Sequence, residues 1–543
     1  MNFFLKCQHW MNRNIFELGR EMRLSYLPPL MVYMAAGISG LTQIVGTFFV
    51  KDYLGLTAEF LAALGFWAGM PWALKMPIGH LVDLIWRFKS ILVFIGAALI
   101  ATSLLIMIGL LSDPEAMRLI LSAEAWFVIS TLLAPIGYVV QDVVADAMTV
   151  EAVPHFDDTG QPIAKEKLRL MHTTMQTLGR VAIISGGIFV ALLNVYLFDG
   201  AAALDEAAKV DIYTHIYQLA LFIPLVSVLG VTLGLWLKWR ELKHLQGKGH
   251  SFNAAWAMLH TQEEKPAANW WILCGSLVFV VFTLGVGLTG VPFNQEIIFV
   301  GSMAIILFLM FRLLKVLEAD ARRTLVGTAI IIFVFRAMPT PGPGATWWMI
   351  DELKFDQQFL SVLALIGGVL TLLGMFAARR FIAEKSIAYV VAALTIAGTF
   401  LSLPIIGMYY GLHEWTALHT GGVVDARFIA LVDTALESPL GQIAMIPMLA
   451  WIANSAPAQL KATYFAVMAS FTNLALSASQ LLTKYMNRMF TISREVKDPA
   501  SGAVVTPADY SELGMLLITV TFIVFTLPLL TIFVVQKSKL QSA

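Results

Sequence analysis

The sequence predicts an all-α polytopic membrane protein of about fourteen spans, in which two six-helix halves are separated by two extra central transmembrane helices. Three observations support this fold class. Of the 543 residues, 58% are hydrophobic and 13% are charged, whereas about 25% of residues are charged in soluble domains. Apolar segments of roughly 20 residues recur along the whole chain, and one stretch of the first half has a counterpart in the second.

The apolar segments are long enough to cross a bilayer as helices. A hydrocarbon core about 30 Å thick requires roughly 20 residues of α-helix. The segments lie near residues 28–50, 57–79, 90–111, 121–150, 171–197, 215–238, 270–290, 296–316, 323–345, 357–378, 387–410, 427–452, 462–485 and 513–536. No loop between them is long enough to form a soluble catalytic domain.

A repeated stretch indicates how the spans are organised. TFFVKDYLGLTAEFLAALG at 47–65 resembles TWWMIDELKFDQQFLSVLA at 346–364, with a Thr, an Asp and a Phe-Leu pair at matching places. In each copy the stretch joins the end of one span to the start of the next. The first six and the last six spans are therefore predicted to be two copies of one unit. Such halves are typical of transporters whose substrate site lies between them near mid-membrane.

The distribution of basic residues predicts the orientation and the regions. With the N-terminus in the cytoplasm, most of the 36 Lys and Arg residues fall in or beside cytoplasmic loops, as the positive-inside rule requires. We expect both termini in the cytoplasm and a location in the plasma (cell inner) membrane. The regions are a cytoplasmic N-terminal segment at 1–27, a six-helix half at 28–238, a cytoplasmic linker with two inserted helices at 239–322, and a second half at 323–543.

Several classes of protein are disfavoured by composition. The 36 basic residues balance 36 acidic ones, so net charge gives no reason to expect nucleic acid. The two cysteines, Cys7 and Cys274, are too few for a disulfide framework or a thiolate metal site. No metal-ligand cluster, nucleotide loop or nucleophile motif is visible in the sequence. We expect no cofactor, no metal and no enzymatic activity.

A short loop after the second predicted span resembles the signature loop of the major facilitator superfamily. It reads GHLVDLIWRFK and supplies Gly79, Asp83 and Arg87. Glycine permits a tight turn after the helix, and an Asp–Arg ion pair can latch helices together on the cytoplasmic side. Lys75 lies just before this loop and is grouped with it as a predicted gate. The alternative is an ordinary charged loop.

Four longer stretches carry a narrower resemblance. They are FFVKDYLGLTAEFLAALGFWAGMPWALKMPIGHLVD, DVVADAMTVEAVP, RAMPTPGPGATWW and APAQLKATYFAVMASFTNLA. Together they resemble the folate-biopterin transporter family within that superfamily. Their more specific pieces are Pro71-Trp72-x-x-Lys75-x-Pro77 and Asp142-x-x-x-Asp146-x-x-x-x-Glu151. This chain differs from the family pattern in having Lys461 where a Glu is expected and in its two extra spans.

Carboxylates inside the fourth span need partners. Asp142 and Asp146 are four residues apart and share one face of a helix. An ionised carboxylate in a membrane costs several kcal/mol unless it faces water or a counter-ion. Arg180 in the fifth span lies at a comparable depth, which makes it the candidate partner of Asp142. Glu151 is close to the cytoplasmic end and is expected to be solvated or paired with a loop.

Two further polar positions lie in the second half. Arg336 in the ninth span and Glu437 in the twelfth are near mid-membrane and form a second candidate pair. These pairs have two interpretations: they fix helix packing, or the arginines bind substrate carboxylates while an acid takes up a proton. Asn473 in the thirteenth span is able to bind substrate or to bond a neighbouring helix.

The ninth span contains a stretch that breaks helices. RAMPTPGPG, residues 336–344, has three prolines and two glycines and cannot be a continuous α-helix. Freed backbone groups cannot face lipid, so the stretch must lie within protein or line a cavity. The alternative is a helix end with a surface turn. Trp347 and Trp348 follow and are predicted to face the external membrane interface.

The sequence therefore predicts a secondary active transporter that moves a small organic anion by alternating access and is coupled to protons. The resemblance implies that the anion is folate or a pterin. We expect a monomer whose partners are this solute, protons and the lipid bilayer. The alternatives are a major facilitator carrier for another small organic solute, a non-transporting membrane sensor and a membrane enzyme.

Overall fold

The computed structural model confirms the helical fold class. It describes residues 17–20, 22–54, 56–73, 75–85, 88–154, 163–249, 251–252, 270–288, 291–315, 318–377, 385–440, 461–497, 504–538 and 540. The main helices are α1 (Leu27–Ile38), α2 (Gln43–Tyr53), α3 (Ala58–Ala73), α4 (Lys75–Leu84), α5 (Lys89–Ser112), α6 (Ala123–Ala152), α7 (Lys165–Leu197), α8 (Glu206–Ala220), α9 (Phe222–Gly247), α10 (Trp270–Leu288), α11 (Asn294–Leu314), α12 (Ala319–Arg336), α13 (Pro343–Asp351), α14 (Gln357–Ala377), α15 (Ile387–Tyr409), α16 (Ala426–Glu437), α17 (Lys461–Met489) and α18 (Leu513–Lys537).

Smaller elements complete the described chain. Short helices cover Glu17–Arg20, Pro114–Arg118 and Leu412–His419. Single 3-10 turns cover Leu24–Tyr26, Ser39–Thr42, Ala201–Ala203 and Ser438–Leu440. Two strands, β1 (Val496–Lys497) and β2 (Val504–Thr506), pair antiparallel, with Val496 opposite Thr506 and Lys497 opposite Val504.

Many of these helices are long and apolar enough to span a bilayer. Within the described ranges, 9 helical segments meet that criterion by length and composition. Others of the predicted spans are interrupted, such as the ninth, or continue outside the described residues, such as the twelfth. α17 is long enough, at 29 residues, but it carries many polar side chains. The protein is a multi-pass integral membrane protein.

Capping residues explain where several helices begin. The side chains of Ser122, Asp205, Ser386 and Asp425 precede α6, α8, α15 and α16. Each accepts a hydrogen bond from the backbone N–H three residues later. Such caps satisfy one of the donors that a helix leaves unpaired in its first turn. The starts of these helices are therefore encoded locally.

Close backbone contacts hold the N-terminal helices together. A Cβ added to Gly96 of α5 would lie 2.7 Å from the carbonyl oxygen of Gly137 in α6. A Cβ added to Gly37 of α1 would lie 2.1 Å from the carbonyl oxygen of Ile183 in α7. Only glycine allows helices to approach so closely. These contacts bring α6 against α5 and α7 against α1.

The first and last helices of the chain form two groups that meet along two helix pairs. Most helices from α1 to α9 pack on one another, and so do most helices from α12 to α18. We call these the N-terminal and C-terminal groups. Between them, α3 packs against α17 and α7 packs against α14. A Cβ on Gly368 of α14 would lie 2.9 Å from Cγ1 of Ile188 in α7, so this second pair is also in close contact.

The proline-rich stretch interrupts the helix as predicted. α12 ends at Arg336 and α13 begins at Pro343. The freed backbone groups bond to one face of α17. Ser479 Oγ donates to the Met338 carbonyl at 2.6 Å, and the Thr340 N–H donates to Thr483 Oγ1 at 3.0 Å. Asn487 Nδ2 donates to the Pro341 carbonyl at 3.2 Å. One side of the break is therefore bonded to α17, while Thr340 in its middle is exposed.

The two tryptophans after the break are not at the membrane interface, so that prediction was wrong. Trp347 is 2% exposed and Trp348 is 5% exposed. The Arg494 guanidinium lies 4.7 Å from the Trp347 ring centroid, and the Tyr409 ring packs against Trp348. The segment that follows α17 therefore covers Trp347, and α15 covers Trp348.

Polar contacts at one end of the bundle link the two groups. Lys51 Nζ is 2.5 Å from Asp351 Oδ1, and the Tyr510 hydroxyl donates to Asp351. Arg494 Nη1 donates to the Leu56 carbonyl at 3.0 Å. We call this the Lys51 end. The Lys51 end is closed by ionic and polar contacts across the groups.

Further bonds close the Lys51 end on its other side. Gln357 Nε2 donates to the Tyr213 hydroxyl at 2.8 Å. Gln358 Nε2 donates to Asp199 Oδ1 at 3.0 Å. Both bonds join the start of α14 to the N-terminal group, so the closure extends from the α2–α13 contact to the α7–α14 contact.

The opposite end, which we call the Glu151 end, contains a buried ionic cluster. Glu151 accepts hydrogen bonds from Lys89 and, at 2.7 Å, from Lys238. The expectation that Glu151 is solvated or paired with a loop was wrong, because both partners are lysines on helices. Burial alone would raise the pKa of Glu151, but the charges of Lys238 and Lys89 lower it below its ordinary value of 4.5. The cluster joins α5, α6 and α9.

We predict that Thr483→Val destabilises the protein by about 1 kcal/mol, because the part-buried hydrogen bond from the Thr340 N–H to the Thr483 hydroxyl is lost. Thr102→Val is the matched control, since Thr102 is exposed and bonds only to the Ala98 carbonyl of its own helix. The measurement is the melting temperature of each purified variant in detergent. Equal melting temperatures for the two variants would contradict the role assigned to Thr483.

We predict that Glu151→Gln lowers the stability at pH 7 by about 3 kcal/mol, because two lysines lose their counter-ion. The lowered pKa of Glu151 means that its contribution is present above about pH 4.5 and is lost as the pH falls below it. The gap in melting temperature between variant and wild type should therefore shrink on acidification. Exposed Glu115→Gln is the control. A gap that is constant from pH 8 to pH 4 would refute this linkage.

Candidate substrate-binding site

The two aspartates of α6 share one lysine. Lys75 Nζ, at the start of α4, is 2.5 Å from Asp142 Oδ2 and 2.7 Å from Asp146 Oδ2. The Tyr33 hydroxyl of α1 donates to Asp146 Oδ1 at 2.5 Å. The spacing of four residues places both carboxylates on one face of α6, as predicted. The cluster thus draws on three helices of the N-terminal group.

The partner of the aspartates differs from the predicted one. Arg180 was the candidate counter-ion of Asp142, but Lys75 occupies the space between the two carboxylates. The position of a residue along its helix does not show which face of the helix it lies on. Depth alone therefore could not show whether Lys75 or Arg180 is the counter-ion of Asp142. Lys75 was grouped with the gating loop; its ammonium lies between the two aspartates, and its role in a gate stays a prediction.

The side chains of Asp142 and Asp146 differ in how much of their surface is exposed. The side chain of Asp142 is 15% exposed, whereas that of Asp146 is 42% exposed. Two carboxylates around one ammonium carry a net negative charge when all three groups are ionised. Asp146, which also has the Tyr33 hydroxyl bond, is the carboxylate that protons and solutes can reach more easily.

Two arginines from different helix groups approach each other near this cluster. The charge of Arg180, on α7, acts on Asp142 and on Tyr33. The same charge acts on Arg336, the last residue of α12. Both arginines are half-buried. Like charges in a partly buried space repel one another.

The location of Arg336 follows from the helix break. The proline-rich stretch ends α12 at Arg336, and a cation is favourable at a helix C-terminus because of the helix dipole. Glu437 ends α16, is exposed, and repels Asp433 one turn earlier. The pairing of Arg336 with Glu437 stays a prediction.

The amide of Asn473 connects the two groups. Asn473 Nδ2 in α17 donates to the Trp72 carbonyl of α3 at 3.1 Å. This is the helix-to-helix bond that the sequence allowed as one of two roles. Because Trp72 precedes Lys75 by less than one turn, the bond holds the C-terminal group next to the acidic cluster.

The predicted gating loop is only partly described. Gly79 is in α4, and a Cβ at this position would make an ordinary contact, 3.9 Å from Val143 Cγ1. The side chain of Asp83 and residue Arg87 lie outside the described residues. The latch between them therefore stays a prediction.

Sequence reasoning missed three polar side chains of the candidate site, those of Tyr33, Thr149 and Gln176. Tyr33 lies in an apolar span, and a single tyrosine there gives no signal of its role. Gln176 Nε2 donates to Thr149 Oγ1 at 3.2 Å, and the Thr149 hydroxyl donates to the Asp146 carbonyl. Asp351 was visible as part of the repeat, but its partner Lys51 could be found only from the fold.

The fold is similar to that of several solved transporters. The fold is similar to that of a POT family transporter in complex with 5-aminolevulinic acid, with a TM-score of 0.55 and 13% identity over 94% of this chain and 95% of that chain. It is also similar to the nucleoside transporter NupG, with a TM-score of 0.51 and 11% identity over 95% of this chain and 100% of that chain. These likenesses concern the fold alone.

Sequence comparison gives a more specific result. The chain is 22% identical over 477 residues to a folate-biopterin transporter of Synechocystis sp., which covers 86% of this chain and 76% of that protein. The pattern of the BT1 family matches residues 36–542. Because this match includes nearly all of the described helices, the chain belongs to the BT1 family and is an integral membrane transporter with the major facilitator fold.

Proposed function

We propose that this transporter moves a small organic anion of the folate or pterin class by alternating access and that the movement is coupled to protons. The observation that carries the proposal is the charged cluster of Lys75 with Asp142 and Asp146 inside the N-terminal group. Arg180 and Arg336, which are half-buried on helices of different groups, are the proposed anion ligands. The curated relative named as a folate-biopterin transporter supports the substrate class.

The two arginines suit an anion that binds between the groups. A guanidinium binds a carboxylate through two parallel hydrogen bonds. An anion between Arg180 and Arg336 would remove their mutual repulsion and attract both groups. Substrate binding would then lower the free energy of states in which the two groups close around the site. This links recognition to the conformational change that transport requires.

The acidic cluster is suited to couple this change to protons. Protonation of Asp146 would remove one of the two carboxylates that hold the Lys75 ammonium, leaving Asp142 as its counter-ion. Tyr33 bonds to Asp146, so α1 is affected by the same event. A change in charge at one residue therefore alters contacts among α1, α4 and α6, close to the anion site.

The proposal also includes the orientation of the protein in the membrane. By the positive-inside rule, the Glu151 end faces the cytoplasm and the Lys51 end faces outward. The described conformation is then one that is closed to the outside by the Lys51–Asp351 contact. We propose a monomer in the plasma membrane with both termini in the cytoplasm and with the regions 1–27, 28–238, 239–322 and 323–543.

We predict that Arg336→Gln lowers folate uptake about tenfold to a hundredfold, because the lost charged hydrogen bonds are worth about 1.5–3 kcal/mol. Radiolabelled folate uptake into proteoliposomes is measured with an inward proton gradient. Arg323→Gln is the control, since Arg323 is an exposed residue of the same helix. Uptake by Arg336→Gln equal to that of the control would exclude Arg336 as an anion ligand. No uptake by the wild type would exclude folate and favour another small organic solute.

We predict that Asp146→Asn abolishes the stimulation of uptake by a proton gradient but retains exchange of labelled for unlabelled folate, because the amide cannot take up the coupling proton. Exchange is measured in the same proteoliposomes at equal pH on both sides. Asp320→Asn, at an exposed residue of α12, is the control. Undiminished gradient stimulation in Asp146→Asn would rule out this residue as the coupling acid.

A further inference from the structure

The two inserted helices lie across the junction of the two helix groups. α10 packs against α4 of the N-terminal group, and α11 packs against α17 of the C-terminal group. α10 and α11 also pack against each other. One hydrophobic cluster contains residues from α3, α10, α11 and α17, including Phe66, Phe279, Ile298 and Leu474. The inserted hairpin therefore has one helix on each group.

One side chain of the hairpin bonds to both groups. Gln295, in the first turn of α11, is 6% exposed. Its Nε2 donates to the Ala63 carbonyl of α3 at 3.1 Å, and its Oε1 accepts from Lys484 Nζ of α17 at 3.0 Å. A single amide thus spans the contact between α3 and α17.

The hydrogen bonds that join α11 to α17 of the C-terminal group are stronger than the bond that joins α11 to α3 of the N-terminal group. Lys484 Nζ is 3.1 Å from Glu296 Oε1, and the Tyr485 hydroxyl donates to the same oxygen at 2.6 Å. Bonds that involve ionised groups are roughly twice as strong as neutral ones. The Gln295–Ala63 bond is neutral. If α3 and α17 separate, we expect α11 to stay with α17 and the bond to Ala63 to break.

The contact that Gln295 spans is one that must open at the Lys51 end. A Cβ on Gly65 of α3 would lie 2.7 Å from Gln480 Oε1, and Ser477 Oγ bonds to Met70 Sδ at 3.7 Å. α3 and α17 are therefore in direct contact beside Ala63. Alternating access requires the two groups to move apart at this end, which separates these helices.

We propose that the inserted helices act as a strap that stabilises the closed Lys51 end, and that release of the Ala63 carbonyl by Gln295 is a step in its opening. The inference rests on the alternating access of the proposed function but not on the identity of the solute. It assigns a role to the two helices that lie between the predicted halves.

The test uses Gln295→Glu. A glutamate has the size of glutamine and still accepts from Lys484, but an ionised carboxylate cannot donate to the Ala63 carbonyl. Spin labels at Phe60→Cys and Met489→Cys, both exposed at the Lys51 end, report the distance between α3 and α17 in nanodiscs. Cys7 and Cys274 are replaced by serine. We expect the ratio of open to closed populations to rise about fivefold, the effect of losing one neutral hydrogen bond.

Two further variants make the result specific. Gln295→Met loses both bonds and should also increase the open population, which keeps the test valid if the glutamate variant does not fold. Gln218→Glu makes the same chemical change at an exposed site on α8 and should leave the distances unchanged. Distance distributions equal to those of the wild type in both Gln295 variants would refute the proposal that the inserted helices stabilise the closed Lys51 end.

The outcome is separable from that of the proposed function. A shift in distances together with absent folate uptake would support the strap and exclude folate as the substrate. Unchanged distances together with normal, proton-stimulated uptake would refute the strap and leave the transport proposal standing. The distance measurement needs no solute, so either result is informative.

Discussion

A charged group inside a bilayer is stable only beside a counter-ion or water, and the arrangement of Lys75 between Asp142 and Asp146 satisfies this constraint. The cluster determines much of the N-terminal group. α4 must begin where its lysine reaches α6, and α1 must come close enough for Tyr33 to bond Asp146. The glycines that let α1 and α7 touch make this approach possible. Packing and charge therefore depend on each other at this site.

The same requirement applies to the backbone. The break after α12 frees polar groups that lipid cannot satisfy, and Ser479, Thr483 and Asn487 supply partners from α17. Other residues of α17 bond α3 and the inserted helices, notably Asn473 and Lys484. α17 has fewer apolar residues than an ordinary span because it forms polar bonds to three neighbours: the break after α12, α3 and the inserted helices.

Charge is distributed differently at the closed end and in the middle of the protein. At the Lys51 end, opposite charges face each other across the two groups and attract. In the middle, Arg180 and Arg336 repel. Attraction at the Lys51 end favours the conformation that is shut at that end. The strap through Gln295 adds to the attraction at that end.

The sequence by itself determined the helical membrane fold, the approximate spans and the family, because hydrophobic length and a local motif do not depend on distant contacts. It also located the helix break, since proline cannot continue a helix wherever it lies. Tertiary structure decided the partners. Choosing Lys75 over Arg180 for Asp142 required knowledge of which helix faces meet. The burial of Trp347 depended on a segment that follows it by more than a hundred residues. Contacts between distant parts of the chain are fixed only when the helices pack, and for that reason no local pattern could reveal them.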